Sequence, residues 1–438
     1  MNSWSTKALG ELCDTHGGAI QTGPFGSQLH QHDYVPEGTP VIMPKDIKDG
    51  KIALGEIARI DNDNVKRLSK HKVRVGDIVI PRRGEISKCT LVTVDEEGYI
   101  CGTGCLKITP PQTVLDATYF RYYLGRSDIV EWLENNAVGA TMLNLSGAIL
   151  KRLPVSFPCL LEQKKIAAVL SAYDDLIENN LERIKLLEEM AQITYEEWFV
   201  RMKFPGHDEV EIDSETGLPT GWKLQTLREL TSYINRGVAP KYVEGDGFPV
   251  INQKCIRGHW VNFAESRLTA SEHKVPKDKL LQPLDILVNS TGTGTLGRVA
   301  QLFDCPGKAT VDTHVTIVRP GDQVSAYWLG RSLEAIELFI VNLGKGATNQ
   351  QELGRNDLAD VVKLNAPTVE LMTRFDDFAR PIFETITNLL NQNGLLKEAR
   401  DILLPRLMTG MIDIDKVELP EALLERINKQ NNNETNIG

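Results

Sequence analysis

The chain has 438 residues, 41% hydrophobic and 25% charged, a composition that suits two or three soluble globular domains and excludes fibrous and disordered classes. No stretch approaches about 18 uninterrupted apolar residues, and Met1 to Leu12 lacks a basic segment followed by an apolar one, so a cytoplasmic protein without a membrane span is expected. The net charge of −10 is concentrated: residues 161–200 hold nine acidic and four basic side chains and residues 204–218 five acidic and none basic, while residues 1–160 balance at 18 of each, which keeps a nucleic-acid partner open.

Residues 1–157 show short apolar runs bounded by Gly, Pro and Asp: Pro40-Val-Ile-Met, Asp77-Ile-Val-Ile, Thr90-Leu-Val-Thr-Val and Leu106-Lys-Ile. These have strand length and composition, and helix is expected chiefly over Ala117–Leu124 and Asp128–Asn135, giving an α+β domain. From residue 158 to 203 the period becomes helical. Ile166, Val169, Leu170, Tyr173, Ile177, Leu181, Ile184, Leu187 and Ala191 recur at steps of three and four, the seam of an amphipathic helix that needs a partner. Residues 204–221 form an acidic, turn-rich linker.

Residues 222–366 repeat the first domain. Gly38-Thr-Pro-Val-Ile aligns with Gly247-Phe-Pro-Val-Ile at an offset of 247 − 38 = 209, Gly76-Asp-Ile-Val-Ile with Leu284-Asp-Ile-Leu-Val at 208, and Gly139-Ala-Thr with Gly346-Ala-Thr at 207. At the start Trp4, Leu9 and Leu12 match Trp222, Leu227 and Leu230 at 218, so the first copy carries about nine extra residues before Gly38. Strands are expected at Pro249-Val-Ile, Asp285-Ile-Leu-Val, Val299-Ala-Gln-Leu-Phe and Val315-Thr-Ile-Val, and a helix over Val324–Val341. A second long helix follows over 367–410, with Leu371, Phe375, Phe378, Ile382, Ile386, Leu389, Leu396 and Leu403 in its seam. Pro381 predicts a kink there and Gly394 a weak point. The tail, 411–438, is expected to be partly disordered.

No catalytic constellation emerges. Gly292-Thr-Gly-Thr-Leu-Gly297 satisfies Gly-x-Gly-x-x-Gly, but Arg298-Val-Ala-Gln-Leu-Phe after it reads as a strand, whereas a phosphate cradle needs a helix N-terminus. Cys101 and Cys105 lack a second pair, their counterparts being Val311 and Val315, so no metal site is expected. What remains is polar loops at matched places: Met43-Pro-Lys45-Asp46 with Asn252-Gln253-Lys254, and Pro81-Arg82-Arg83-Gly84 with Asn289-Ser290-Thr291-Gly292-Thr293. Such side chains suit base edges and phosphates. Lys45, Arg82, Arg83, Lys88, Gln253, Lys254, Asn289, Ser290, Thr291, Thr293, Arg298 and Gln350 are therefore the expected DNA contacts.

With these loops stand the Trp-x-x-x-x-Leu starts at Trp4 and Trp222, the Gly-Ala-Thr loops, Glu162-Gln-Lys-Lys-Ile166, Tyr195-Glu-Glu-Trp-Phe199, Phe204-Pro-Gly-His and Leu403-Leu-Pro-Arg-Leu-Met-Thr-Gly410. In this order the chain resembles the specificity subunits of type I restriction-modification systems over nearly its whole length. The resemblance implies two target-recognition domains joined by two long antiparallel helices, each domain reading half of a bipartite double-stranded DNA site. It implies two methylation subunits docked on the helices, with S-adenosylmethionine bound by those partners and no cofactor on this chain, and restriction subunits that cut elsewhere. It makes the chain a non-catalytic subunit. Two departures are Met142, where the family pattern has Gln, and the helix breakers Pro381 and Gly394. Rival readings are a single-chain enzyme binding a nucleotide at the 292–297 loop and a helical scaffold that never touches DNA.

Overall fold

The structure, a computed structural model, describes residues 4–48, 50–139, 143–346 and 351–435. The chain divides into two compact units, residues 1–177 with 395–438, and residues 178–394. Each long helix therefore gives one part to each unit rather than forming a separate domain.

In the first unit Ser5–Ala8 pairs with Pro154–Phe157. One antiparallel sheet runs in the order Ala19–Thr22, Cys105–Thr109, Ile78–Pro81, Thr90–Leu91. A second runs Ile100–Cys101, Thr39–Ile42, Ala58–Ile60, Tyr34–Val35, with Ile100–Cys101 parallel to its neighbour. The second unit reproduces both: Thr231–Arg236, Val315–Pro320, Ile286–Asn289, Val299–Gln301, and Thr310–Val311, Gly247–Ile251, Arg267–Ala270, Tyr242–Val243, again with one parallel pair. Its terminal pair is Lys223–Thr226 with Lys363–Ala366. Single bridges repeat too: Arg83 with Asn144 corresponds to Thr291 with Glu352, both at 208. The repeat is one of backbone hydrogen bonding as well as of sequence.

Physical reasons for the repeated motifs are visible. Ile78–Pro81 and Ile286–Asn289 are buried at every position, so they read as continuous apolar runs rather than alternating ones. The aspartate before each closes the preceding turn, Asp77 accepting from Arg74 N (2.8 Å) and Asp285 from Gln282 N (2.8 Å). Asp77 then faces Lys107 at 3.4 Å, and Asp285 takes both Nε and Nη2 of Arg319 at 2.7 and 2.8 Å. Leu9 and Leu227 of the Trp-x-x-x-x-Leu starts are fully buried.

The first long helix spans Leu160–Tyr195 and the second Val369–Met408, about 54 and 60 Å at 1.5 Å per residue. In the first unit Arg400 is paired with Asp174; in the second Asn180 Nδ2 donates to Asn393 Oδ1 at 2.9 Å and Tyr195 meets Phe375, so there the two helices run antiparallel. Ile166, Ile177, Ile184, Phe375, Ile382 and Ile386 are buried and Tyr173, Leu187 and Leu396 half-buried, in line with the seam. Leu181 departs from it, 51% exposed, because Asn180 takes the inward position one residue earlier. Phe375 anchors the second unit among Phe199, Tyr195 and Trp198 at ring separations of 5.1, 6.4 and 5.9 Å. Its burial contributes roughly 1.5–3 kcal/mol.

The second helix is continuous through both Pro381 and Gly394. Thr385 Oγ1 donates to the Pro381 carbonyl at 2.7 Å, one turn on, and Gly394 is exposed with open space around it, so neither residue ends the helix. Over Val324–Val341 the chain forms two helices, Ala326–Ala335 and Glu337–Asn342, separated at Ile336, whose φ of −106° leaves the helical range. The acidic linker is pinned at its ends, where Phe204 and Trp222 are buried with rings stacked at 5.8 Å. In the tail, where disorder is expected, Glu421–Thr435 is helical; Ile427 is buried and Arg426 reaches Asp175 at 2.5 Å. Among the described residues no helix is long and apolar enough to cross a membrane.

Candidate nucleic-acid interface

In the first unit three segments converge where the two sheets end. Thr39–Ile42 runs into a short 3-10 turn, Pro44–Asp46, closed by the Asp46 carboxylate accepting from Met43 N at 2.9 Å. Burial raises the Asp46 carboxyl above its usual range although the Met43 amide opposes this. The turn holds Lys45 outward, exposed, its Nζ 3.4 Å from the Glu56 carbonyl. Ile78–Pro81 delivers Arg82, whose N donates to Gly104 O (2.7 Å) and whose O accepts from Leu145 N (2.8 Å). Its Nε donates to Asn144 Oδ1 at 3.0 Å, which leaves the guanidinium half-buried and aimed, while the next residue, Arg83, is exposed. A Cβ on Gly104 would lie 3.3 Å from Pro44, so the Lys45 turn and the Arg82 loop share one neighbour. Lys88 is exposed beyond Gly84 and paired with Glu85, an exposed pair worth at most about 1 kcal/mol.

The same frame in the second unit carries different chemistry. Ser290 N donates to His314 O and Ser290 O accepts from Leu353 N, both at 2.8 Å, as Arg82 does with Gly104 and Leu145. Gln253, in the matching turn Gln253–Cys255, donates through Nε2 to Thr291 Oγ1 at 2.5 Å, and Thr291 Oγ1 lies 2.8 Å from His314 Nδ1. Arg236 pairs with Glu352 and donates to Leu353 O at 2.8 Å. Lys254 and Thr293 are exposed, and Arg298 is half-buried with Nη2 on Gly294 O at 2.9 Å.

Two expected contacts are corrected by this geometry. Asn289 and Ser290 are fully buried. Asn289 Nδ2 donates to Gln253 O (3.2 Å) and Thr295 O (3.0 Å), and Ser290 Oγ shares a hydrogen bond with Thr316 Oγ1 at 2.5 Å. Both side chains are sealed in the interior and fasten the loop through these bonds, with Asn289 Oδ1 buried and unpartnered, so neither is presented to a base edge. Gln350, Met142 and the Ala-Thr of both Gly-Ala-Thr loops lie outside the described residues. Asn144, Arg236, Glu352 and His314 join the clusters without having been singled out. The offset of 208 that aligns the strands also pairs Asn144 with Glu352 and was the available signal.

Features that would suggest catalysis resolve structurally. The 292–297 loop joins two antiparallel strands, Ile286–Asn289 and Val299–Gln301, and no helix follows it. Cys101 and Cys105 are buried, and burial pushes the Cys101 thiol up to about 12 and Cys105 well above its usual value. Among the described residues no group of three or more His, Cys, Asp or Glu is placed to hold a metal ion.

Residues 1–189 match the family described as "Type I restriction modification DNA specificity domain". The chain is 25% identical over 94% of its length, and 94% of the relative's, to the type I restriction enzyme MjaIX specificity subunit of Methanocaldococcus jannaschii. It is 22% identical over 84% of its length, and 94% of the relative's, to the HindI specificity subunit of Haemophilus influenzae. Among solved structures, the type I restriction-modification S subunit of M. genitalium matches with a TM-score of 0.58 at 17% identity, covering 93% of this chain and 96% of that one, and so has the same fold. The chain is thus similar over nearly its whole length to type I restriction-modification specificity subunits, and its residues 1–189 match their DNA specificity domain.

Proposed function

We propose that each unit reads one half of a bipartite double-stranded DNA target, the first through Lys45, Arg82 and Arg83 and the second through Gln253, Lys254, Thr291 and Thr293. The observation that carries this is the pairing of an identical backbone frame with different side chains. Arg82 and Ser290 make the same two main-chain hydrogen bonds, yet one presents a guanidinium and the other a buried hydroxyl. Two readers on one scaffold with different tips suit two different half-sites.

The chain performs no chemistry itself in this reading. Methylation subunits, two of them, bring S-adenosylmethionine and modify adenine, and restriction subunits join the cytoplasmic complex. The long helices offer these partners apolar surface: Leu176, Leu186, Met190 and Ile193 on the first helix and Leu395 and Ile402 on the second are exposed. The helices also set the gap between half-sites. Sequencing methylated adenines in a host with and without this chain tests the reading, and a bipartite motif that vanishes with the chain is the expected result. Four residues inserted in the first helix, about 6 Å, lengthen the motif's gap by roughly one to two base pairs. An unchanged methylation pattern on deletion overturns the recognition role, and an unchanged gap overturns the spacer role.

A further inference from the structure

The first copy's extra residues fall in two places. From Leu12 to Gly23 it has four more than from Leu230 to Gly237 (11 against 7), and from Gly23 to Gly38 five more than from Gly237 to Gly247 (15 against 10). Gly23 and Gly237 are equivalent: their N–H groups donate to Cys105 O and Val315 O, and a Cβ on either would run into the carbonyl of Gly102 or Val311. Only the first unit therefore carries the longer segment, and at its start stands Phe25, 55% exposed. The aligned residue of the second unit is Ala239.

A single exposed apolar side chain is ordinary on a protein surface. Phe25 differs in how it is held. Gly23 and Pro24 before it and Leu29 after it are buried. The turn between is closed twice, by Gln28 N donating to Phe25 O at 2.8 Å and Phe25 N donating to Gln28 Oε1 at 3.1 Å, and Arg67 ties Gln28 O at 2.5 Å. The ring is thus presented by a braced backbone that loses little further freedom on binding. Its turn is also linked through the Gly102–Gly104 segment to the reading cluster. Gly23 packs on Gly102, and Gly104 holds both Arg82 N and the Pro44 turn; two residues of chain span no more than about 7 Å.

We propose that Phe25 is an apolar wedge that enters between two adjacent base pairs of the half-site read by the first unit. The exposed cations Lys45 and Arg83 of the same unit take the phosphates and draw the duplex onto this unit. Partial unstacking by a Phe wedge costs least at pyrimidine–purine steps, so the residue adds a preference for deformable steps that no hydrogen bond encodes. The second unit, with Ala239, reads its half without a wedge. This inference rests on the proposed DNA-reading function and adds an asymmetry between the two readers.

The test uses the complex of this chain with its methylation subunits and a cognate duplex carrying 2-aminopurine at successive positions of each half-site. Fluorescence rises on binding at one step of the first half-site and at none of the second. Phe25→Ala abolishes the rise and weakens cognate binding about tenfold while changing affinity for unrelated DNA less than twofold; Phe25→Leu keeps much of both. A complex that binds its bipartite site but shows no rise, or keeps rise and affinity in Phe25→Ala, overturns the wedge alone. Failure of Phe25→Ala to assemble with the methylation subunits makes the ring a subunit contact and overturns it equally. A complex with no preference for a bipartite site overturns the proposed function itself.

Discussion

The two reading clusters share a frame and differ in how much of their polarity is spent internally. In the first unit Arg82 gives one hydrogen bond to Asn144 and leaves the rest of its guanidinium available, and Arg83 is exposed. In the second, Gln253, Thr291 and His314 are chained to one another, and Arg236 is consumed by Glu352 and Leu353. One cluster therefore offers mainly charge, which is long-ranged and salt-sensitive, and the other, beside its exposed Lys254, offers oriented neutral groups, which discriminate by geometry. A repeated scaffold can diversify its recognition while its strands, turn-closing aspartates and helix seams stay matched.

The largest test of that independence is Asp285→Ala. It strips Arg319 of its carboxylate partner inside the second unit, at a cost of about 3–5 kcal/mol. Hydrogen exchange should show protection falling across residues 231–320 and unchanged in the first unit's sheets; equal loss in both would mean the units unfold together. Next comes pH. Burial raises the carboxyl of Glu334 to about 8 although Arg331 opposes it, and Glu188 and Glu337 add to the rise. Folding then favours the protonated form, so this contribution is complete below the unfolded value of 4.5 and is lost as pH climbs toward 8, by up to about 1.4 kcal/mol per pH unit. The second unit should weaken over that window more than the first, which has Gly125 at the equivalent place; Glu334→Gln should flatten the second unit's profile in chemical denaturation. The smallest effect is also the most specific: Arg82→Ala should cost about 1–3 kcal/mol of discrimination at one half-site. Binding to duplexes altered in one half at a time reports it, and loss at both halves counts against separate readers.

Much of this was legible from residue pattern. The strands Ile78–Pro81 and Ile286–Asn289 lie where apolar runs between Asp and a polar loop predict them, because burial on both faces leaves no room for alternation. The long helices were legible from period, yet Leu181 shows its limit: Asn180 is inward because it has Asn393 to bond, a partner more than two hundred residues away. Helix runs through Pro381 and over Glu421–Thr435 for a related reason: local propensity for helix is weak at both, and packing of the seam and the docking of Ile427 and Arg426 favour it.

The internal repeat, the α+β class, the two helix seams and the matched placement of the loops are properties of nearest neighbours and period, so the order of residues was enough to establish them. Which loop side chains face outward was decided only by the tertiary structure. Asn289 and Thr293 stand four positions apart in the same loop and have similar hydrogen-bonding chemistry, yet one is sealed by Gln253 O and Thr295 O and the other is exposed. A polar group's availability depends on whether distant backbone and side chains satisfy it, and those partners come together only when the sheets close.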